Sequence, residues 1–193
     1  MRIVLATRNK GKIEELHRIL AGIEVVGLAD FPDAPEVAET EATFAGNALL
    51  KARAICAHTG LPAVADDSGL CVDALNGMPG VLSARWSGRF GDASGDKDRA
   101  NLELLLDQLS DTAERAAHFA CAAVLVRPDH SEEIAEGRMH GHVIDGPRGT
   151  GGFGYDPIFV PDGETRTAAE LTPAEKDAIS HRGKAFRALA RFI

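Results

Sequence analysis

The sequence predicts an α/β domain in which a mixed sheet is flanked by helices. Three observations lead to this fold class. Short runs of Val, Ile, Leu and Ala predict strands, segments with apolar residues three or four positions apart predict helices, and the two kinds of segment do not alternate strictly. No internal repeat, low-complexity tract or linker divides the 193 residues. We therefore expect one domain, 1–193, with a core of its own.

The first half of the chain is predicted to contain several short strands and two helices. Ile13, Leu16, Ile19 and Leu20 form the apolar stripe of the first helix, and Thr43 is the expected N-cap of the second. Strands are predicted at 2–6, at 25–26 and within 63–75, the last with a break at Ser68 and Gly69, and helices are predicted at 11–20 and from Thr43 to about His58.

The second half is predicted to contain longer strands and a well-capped helix. Two neighbouring strands are expected at 118–126 and 134–144, a helix at 99–109 after a polar loop rich in Gly and Asp, and a short strand at the "IFV" of 158–160. In "LTPAEK", Thr172 is the expected N-cap, Pro173 occupies the first helical position and Glu175 completes a capping box. A helix should therefore begin at Pro173.

The composition favours a cytoplasmic protein and excludes several classes of function. A formal net charge of -8 argues against a broad nucleic-acid-binding surface. The apolar run in "MRIVLATRNKGK" is too short for a signal peptide, and the longest apolar stretch, Phe119–Val126, is far below transmembrane length. Cys56, Cys71 and Cys121 form neither a disulfide framework nor a CxxC pair. We expect buried free thiols and no nucleic-acid or membrane partner.

The stretch "LATRNKGKIEEL" is a candidate phosphate-binding loop. Exposed amides at a helix N-terminus, beside hydroxyl, amide and lysine side chains, suit a chain of phosphates. The pattern lacks the GxxxxGK[ST] spacing of a Walker loop. A solvated turn with its lysines facing water is the alternative. Six residues join the first strand to the first helix: Thr7, Arg8, Asn9, Lys10, Gly11 and Lys12.

The paired carboxylates of "AVADDSGLCV" are a candidate metal site. Asp66 and Asp67 follow an apolar run, and Glu39 and Glu41 lie upstream in "VAETEATF". Mg²⁺ favours carboxylate oxygens and usually binds through one or two of them plus substrate phosphates. Adjacent strand residues point to opposite faces, so one aspartate can face a metal while the other braces a loop. A turn in which both accept backbone N–H bonds is an equally weighted alternative.

The stretch "GPRGTGGFGYDPIF" contains a GxGxxG pattern at Gly149, Gly151 and Gly154 that does not predict a dinucleotide site. Such a site must open a helix, whereas a proline and an apolar strand follow here. Phe153 and Tyr155 are instead candidates to flank a flat ring. The alternative is a glycine hairpin with structural aromatic residues.

The stretch "EKDAISHRGKAF" places three cationic or titratable side chains around the end of the capped helix. Lys176 is a candidate phosphate ligand, and His181 with Arg182 can donate hydrogen bonds to carbonyl acceptors. A basic helix surface is the alternative. His140 and His142 share a strand face but lack a third metal ligand, so we assign them to solvent.

Five stretches, in this order and spacing, resemble the inosine triphosphate pyrophosphatase family: "LATRNKGK", "ETEATFAGNALLKA", "ADDSGL", "GTGGFGYDPIF" and "LTPAEKDAISHRGKA". The likeness covers nearly the whole chain. It implies an elongated two-lobed α/β fold with a nucleotide cleft between the lobes, Mg²⁺ dependence and a homodimer. It also implies hydrolysis of non-standard purine nucleoside triphosphates, such as ITP, dITP and XTP, to the monophosphate and pyrophosphate.

The resemblance also implies roles for individual residues. The 7–12 loop would grip the triphosphate, Asp67 would be the catalytic acceptor, and Glu39 with Asp67 would hold the metal. The remaining substrate contacts would come from Ser68, Phe153, Gly154, Tyr155, Asp156, Lys176, His181 and Arg182. Two positions depart from the family pattern. Gly46 stands where many members carry a glutamate, and Arg8 replaces a frequent glycine.

The implied reaction is in-line attack of water on the α-phosphorus. Asp67 would position or deprotonate the water, and Lys10, Lys12 and Lys176 would stabilise charge on the departing pyrophosphate. Two other classes compete with this hypothesis. An aspartyl-phosphate phosphatase needs a DxDx[TV] motif that "DDSG" lacks, whereas a non-catalytic nucleotide sensor would share every binding feature. Within pyrophosphatases, an enzyme for modified pyrimidines is a nearer alternative, which a substrate panel decides.

Overall fold

Seven strands and six helices make up the regular structure in the computed structural model, which describes residues 2–20 and 22–193. The strands are β1 Arg2–Leu5, β2 Glu24–Gly27, β3 Ala63–Val72, β4 Met78–Pro79, β5 Ala116–Val126, β6 Glu132–Val143 and β7 Phe159–Pro161. The helices are α1 Lys10–Ile19, α2 Phe44–Thr59, α3 Arg89–Ser94, α4 Lys97–Gln108, α5 Pro173–Ile179 and α6 His181–Leu189.

The strands form one mixed sheet in the order β2-β1-β3-β5-β6-β7, with β4 paired to β3. Strand β1 is parallel to both β2 and β3. By contrast, β4 is antiparallel to β3, and β7 is antiparallel to β6. The predicted mixed sheet flanked by helices is therefore confirmed. No described helix, within 2–20 or 22–193, is long and apolar enough to cross a membrane.

Two compact units divide the chain. Unit 1 contains the residues up to Asp67, together with Cys121–Gly137 and His181–Ile193, and unit 2 contains Ser68–Ala120 and Arg138–Ser180. Strands β3, β5 and β6 each contribute residues to both units. The expectation of one domain over 1–193 stays a prediction, because a division into compact units does not decide which parts fold alone.

The core of unit 1 follows the two-residue periodicity of β1. Ile3 and Leu5 pack in a cluster with Leu16 of α1 and Phe186 of α6, whereas Val4 belongs to a second cluster built on α2. Because successive side chains of a strand point to opposite faces, different helices cover the two faces of β1. Each fully buried aliphatic or aromatic side chain stabilises such a layer by roughly 1.5–3 kcal/mol.

The core of unit 2 packs α4 against the strands. Leu105 and Leu109 are fully buried with Leu70 of β3. The rings of Phe119 and Phe159 meet edge to face, with centroids 4.8 Å apart, a favoured geometry for an aromatic pair. Helix α4 is thus anchored to the core of unit 2 by its apolar side chains.

The predicted break at Ser68 and Gly69 is wrong, because β3 runs without interruption from Ala63 to Val72. A Cβ atom at Gly69 would lie 2.3 Å from the carbonyl oxygen of Gly80 and 2.4 Å from Ser83 Oγ. Ser83 Oγ also accepts a hydrogen bond from the Leu70 amide, at 2.9 Å. Gly69 is therefore needed for the close approach of a neighbouring segment, and both aspartates lie within the strand.

The helix-capping predictions are confirmed. The Thr43 side chain accepts from the Gly46 amide, and Thr172 with Glu175 forms the expected capping box at α5. The polar loop expected before 99–109 is partly wrong, since it contains the short helix α3. The three cysteines are free and buried, as expected.

Candidate active site

The residues predicted to act on a substrate fall into two sets, one in each unit. Unit 1 contains Thr7, Arg8, Asn9, Lys10, Gly11, Lys12, Glu39, Asp67, His181 and Arg182. Unit 2 contains Ser68, Phe153, Gly154, Tyr155, Asp156 and Lys176.

The 7–12 segment is a braced turn that opens α1. Asn9 is the N-cap of the helix, and its Oδ1 accepts from the Lys12 amide at 3.1 Å. Thr7 Oγ1 accepts from the Asn9 amide at 3.2 Å, and the Arg8 guanidinium donates to the Ala34 carbonyl at 3.1 Å. The predicted helix N-terminus is therefore present. Its exposed amides and positive dipole end are suited to an anion.

Asp66 is a buried acceptor for two cationic side chains. Its Oδ2 lies 2.9 Å from Lys12 Nζ and 3.2 Å from Arg182 Nε. Burial opposes ionisation of Asp66, but the positive charges of Lys12, Arg182 and Lys51 outweigh burial and hold the pKa of this carboxyl well below its ordinary value. Asp66 thus ties the first turn of α1 to α6 within unit 1.

Arg182 is 2% exposed, and its guanidinium contacts carboxylates on two sides. Besides Asp66, it donates to Glu15 of α1. Burial opposes the positive charge, but Asp66 and Glu15 outweigh it and raise the pKa of Arg182. The alternative of a basic helix surface is wrong, because Lys176, His181 and Arg182 are all buried.

Asp67 is held by Asn47 and lies near Lys51, both on α2. Asn47 is fully buried, its Nδ2 donates to Asp67 Oδ2 at 3.0 Å, and its Oδ1 accepts from the Glu41 amide at 2.9 Å. Lys51 Nζ lies 3.8 Å from Asp67 Oδ1 and 2.8 Å from Glu39 Oε1. Burial is the main cause that raises the pKa of Asp67, with Glu39 adding to it against the opposing charge of Lys51.

Lys51 and Asn47 were not among the predicted site residues. Their spacing of four positions places them on one face of α2, and that spacing could have indicated a shared contact. Burial opposes the charge on Lys51, but Asp66, Asp67 and Glu39 outweigh it and raise its pKa. One ammonium group therefore contacts Glu39 and lies near Asp67.

Glu39 and Asp67 fit a hard divalent cation. Both offer carboxylate oxygens, and both lie within 4 Å of the Lys51 ammonium nitrogen. The two carboxylates therefore already attract one positive charge. Within 2–20 and 22–193, no group of three or more His, Cys, Asp or Glu residues forms a complete protein cage for a metal. Mg²⁺ does not require one, since substrate phosphates and water complete its coordination.

The departure at Gly46 has a steric reason. A Cβ atom at position 46 would lie 2.7 Å from Glu41 Cβ and 2.9 Å from Glu41 Cγ. Such contacts are too short for real side chains, so the glycine makes room for the Glu41 side chain at the start of α2.

In unit 2, Asp156 organises the end of the glycine-rich segment. Its Oδ2 accepts from the Phe153 amide at 2.9 Å and from Lys176 Nζ at 2.6 Å. Lys176 Nζ also lies 5.1 Å from the centroid of the Phe153 ring, within the range of a cation–π contact. Gly152 has φ +69°, and a Cβ there would lie 2.1 Å from Asp156 Oδ2. The turn therefore needs glycine at this position.

The GxGxxG pattern opens no α-helix, as predicted. A single 3-10 turn, Asp156–Ile158, follows it, and then β7 begins. The ring of Tyr155 lies in the core of unit 2, and its hydroxyl donates to the Ser83 carbonyl at 2.9 Å. Burial raises the pKa of Tyr155. The structural role that the sequence left open for this aromatic residue is therefore the one observed, while Phe153 is partly exposed.

Gly154 is held from α4. Its amide donates to Asp98 Oδ2 at 2.9 Å. A groove of about 550 Å³ runs between the 147–157 segment and α4, with Asp98, Leu102 and Phe153 in its wall. The sequence predicts a polar loop at Asp98, and it does not predict the hydrogen bond between Asp98 and the Gly154 amide.

This chain is similar to known proteins along its whole length. The profile described as "Ham1 family" matches residues 3–192. The dITP/XTP pyrophosphatase of Streptomyces coelicolor is 61% identical over 198 residues, which cover 100% of this chain and 96% of that protein. The protein of the same name from Frankia alni is 59% identical over 196 residues, covering 100% of this chain and 97% of that protein.

Solved structures show the same fold. The Ham1 protein from Coxiella burnetii matches with a TM-score of 0.88 at 40% identity, covering 100% of this chain and 98% of that chain. The Mycobacterium abscessus nucleoside-triphosphatase / dITP/XTP pyrophosphatase matches with a TM-score of 0.76 at 55% identity, covering 100% of this chain and 98% of that chain. Sequence motifs, fold and relatives agree, and the chain belongs to the Ham1 family.

Proposed function

We propose that this protein hydrolyses ITP, dITP and XTP to the nucleoside monophosphate and pyrophosphate, and so removes non-standard purines from the nucleotide pool. The full-length similarity to proteins named dITP/XTP pyrophosphatase supports the substrate class. The observation that carries the mechanism is the environment of Asp67. Its buried carboxylate is oriented by Asn47 and has a raised pKa, properties that suit a general base.

The chemical step is attack by water on the α-phosphorus, in line with the bond to the departing pyrophosphate. A new bond forms between the water oxygen and the α-phosphorus, and the bond to the oxygen that bridges the α- and β-phosphorus atoms breaks. Asp67 positions the water and accepts its proton. The amides at the start of α1, with Lys10 and Lys12, stabilise the negative charge of the leaving group. The family resemblance assigns Lys176 of unit 2 to the nucleotide as well.

Glu39 and Asp67 would hold Mg²⁺. When bound, this ion supplies positive charge that neutralises the phosphate oxygens. Lys51 already neutralises part of the same carboxylate charge, since its ammonium lies 2.8 Å from Glu39. The protein therefore keeps the two acidic side chains close to a positive charge without a metal ion.

The family resemblance assigns base recognition to Phe153 and Lys176 in unit 2 and to His181 and Arg182 in unit 1. The partly exposed ring of Phe153 offers a stacking surface, which every base can use. Hypoxanthine and xanthine carry a carbonyl at C6 where adenine carries an amino group. Donors such as His181 and Arg182 would satisfy that carbonyl but would face another donor in adenine.

A substrate panel tests the proposal. ITP, XTP, GTP, ATP and dUTP should be incubated with the protein and MgCl₂, and pyrophosphate and inorganic phosphate should be measured separately. We expect pyrophosphate release from ITP and XTP above that from ATP. Release of inorganic phosphate alone would indicate a phosphatase, preference for dUTP would indicate a pyrimidine enzyme, and binding without turnover would indicate a sensor. Omitting MgCl₂ in the presence of a chelator should abolish turnover.

The same proposal includes action in the cytoplasm as a homodimer. The composition supports the cytoplasmic location, and the family resemblance supports the homodimer. Light scattering on the purified protein measures the mass directly, and a mass near 20.4 kDa, that of one chain, would reject the dimer.

A further inference from the structure

We propose that Asp98, on the first turn of α4, is a positioning residue that holds the Phe153 ring in place for a nucleotide base. This inference rests on the proposed function. It concerns a side chain far along the sequence from the glycine-rich segment: Asp98 and Gly154 are 56 positions apart, yet their hydrogen bond is 2.9 Å long.

The segment around Phe153 needs external support because of its glycines. Gly152 and Gly154, which flank Phe153, both have positive φ angles, +69° and +62°. Glycine loses more conformational freedom on folding than any other residue. The position of the Phe153 ring therefore depends on the contacts that fix the backbone amides beside it, in addition to Lys176 Nζ, which lies 5.1 Å from the ring centroid.

Two consecutive amides in this turn donate to carboxylates. The Phe153 amide donates to Asp156 Oδ2 at 2.9 Å, and the Gly154 amide donates to Asp98 Oδ2 at 2.9 Å. The contact between Phe153 and Asp156 is local along the sequence, since the two residues are three positions apart. Asp156 Oδ2 also accepts from Lys176 Nζ of α5. Asp98 supplies a separate link, from the Gly154 amide to α4, and hydrogen bonds to charged groups are the stronger kind.

Helix α4 is a rigid support for this link. Asp96 caps the helix, with its side chain accepting from the Arg99 amide at 3.0 Å. Leu102 and Leu105 of α4 belong to the core of unit 2. The carboxylate of Asp98 therefore belongs to an anchored helix and accepts a hydrogen bond from a segment whose glycines have positive φ angles.

The experiment compares three variants of the full-length protein. Asp98→Ala removes the acceptor, Asp98→Asn keeps an acceptor oxygen, and Glu103→Gln is the matched control. Glu103 lines the same groove on the same helix, but its carboxylate pairs with Arg99 instead of the glycine-rich segment. Asp98 and Glu103 are both exposed, so the three variants should fold.

Two readouts separate positioning from a merely structural role. Hydrogen exchange of peptides that contain Gly154 should be faster in Asp98→Ala than in wild type, without any ligand. The KM for ITP should rise about three- to tenfold, as expected for one exposed hydrogen bond, while kcat and inhibition by base-free inorganic tripolyphosphate stay near wild type. Asp98→Asn should have a KM for ITP close to that of wild type, because it keeps an acceptor oxygen. Glu103→Gln should match wild type in both readouts.

Unchanged KM in Asp98→Ala, with wild type turning over ITP, would overturn the assignment of Asp98 alone. Equal weakening of ITP and tripolyphosphate would also overturn it, because the effect would then not reach the base. A wild-type protein that does not turn over ITP would overturn the proposed function, and the assignment of Asp98 to base binding with it.

Discussion

Asp66 and Asp67 are adjacent on β3, yet their carboxyl pKa values are shifted in opposite directions. Burial opposes the ionisation of both. At Asp66 the charges of Lys12 and Arg182 outweigh burial and lower the pKa, whereas at Asp67 burial prevails and raises it. The alternation of a strand sends the two side chains to different neighbours. One carboxylate is thereby stabilised as a structural ion, and the other is left suited to accept a proton.

Asp66→Asn should destabilise the protein by about 3–5 kcal/mol at neutral pH, the usual cost of breaking a buried ion pair. Because the folded-state pKa of Asp66 is depressed, its contribution is fully present above the ordinary value of 3.8 and is lost as the pH falls toward the folded-state pKa. Urea unfolding without metal should therefore show that the difference in free energy of unfolding between wild type and variant becomes smaller in acid. A difference that is constant with pH would contradict this assignment.

Asp67→Asn should lower kcat by at least about 10²-fold, because it removes the positioned base. Unlike Asp66→Asn, it should not lower the free energy of unfolding. A raised folded-state pKa means that the ionised Asp67 costs stability above its unfolded pKa, so the nearly isosteric amide should leave the free energy of unfolding at neutral pH unchanged or higher. Steady-state kinetics checks the predicted loss of kcat, and urea unfolding of the same preparation checks the predicted free energy of unfolding.

A normal rate in Asp67→Asn would remove Asp67 from the chemistry. If Asp66→Asn were folded and inactive in the same assay, the roles of the two aspartates would be exchanged.

Lys51→Met should increase the stabilisation that MgCl₂ gives the nucleotide-free protein. The Lys51 ammonium contacts Glu39 and lies 3.8 Å from Asp67, so it competes with any cation for these carboxylates. Without it, saturating MgCl₂ should raise Tm by about 2–4 °C more than in wild type, equivalent to about 1 kcal/mol in a chain of this size. Arg53→Met, at an exposed pair with Glu132, is the control. Equal Tm shifts in all three proteins would argue against a cation at Glu39 and Asp67.

Arg182→Ala should lower kcat/KM for ITP by about 10- to 100-fold, from the loss of a charge-assisted hydrogen bond worth roughly 1.5–3 kcal/mol. Activity on ATP should fall much less, so the ratio of ITP to ATP activity should collapse. Glu15→Gln is the matched control, because it disturbs the same buried guanidinium without removing it. An unchanged ratio in folded Arg182→Ala would leave Arg182 as a partner of Asp66 and Glu15 only.

The features that the sequence predicted well are those with local causes. The cap at Thr43 and the capping box at Thr172 and Glu175 depend on residues three positions apart, and both are present. The alternation of β3 predicted different neighbours for Asp66 and Asp67. The absence of a helix after the GxGxxG pattern followed from the proline at 157.

The features that it missed depend on contacts between distant segments. The local sequence predicts a strand break at Gly69, whereas the glycine permits the close approach of the Gly80 carbonyl, which no local pattern reveals. The sequence predicts a polar loop at Asp98 and a helix at Lys51, and charged residues in either setting usually face water. Only the distant partners of these two side chains distinguish them. The burial of Tyr155 likewise depends on the core of unit 2.

The central claim is that water attacks the α-phosphorus with Asp67 as the base. Hydrolysis of ITP in water enriched in heavy oxygen, followed by mass spectrometry of both products, tests it most directly. A wild-type reaction should place one heavy oxygen in the inosine monophosphate and none in the pyrophosphate, at a rate that Asp67→Asn lowers at least about 10²-fold. Label in the pyrophosphate would show attack at the β-phosphorus and would contradict the account.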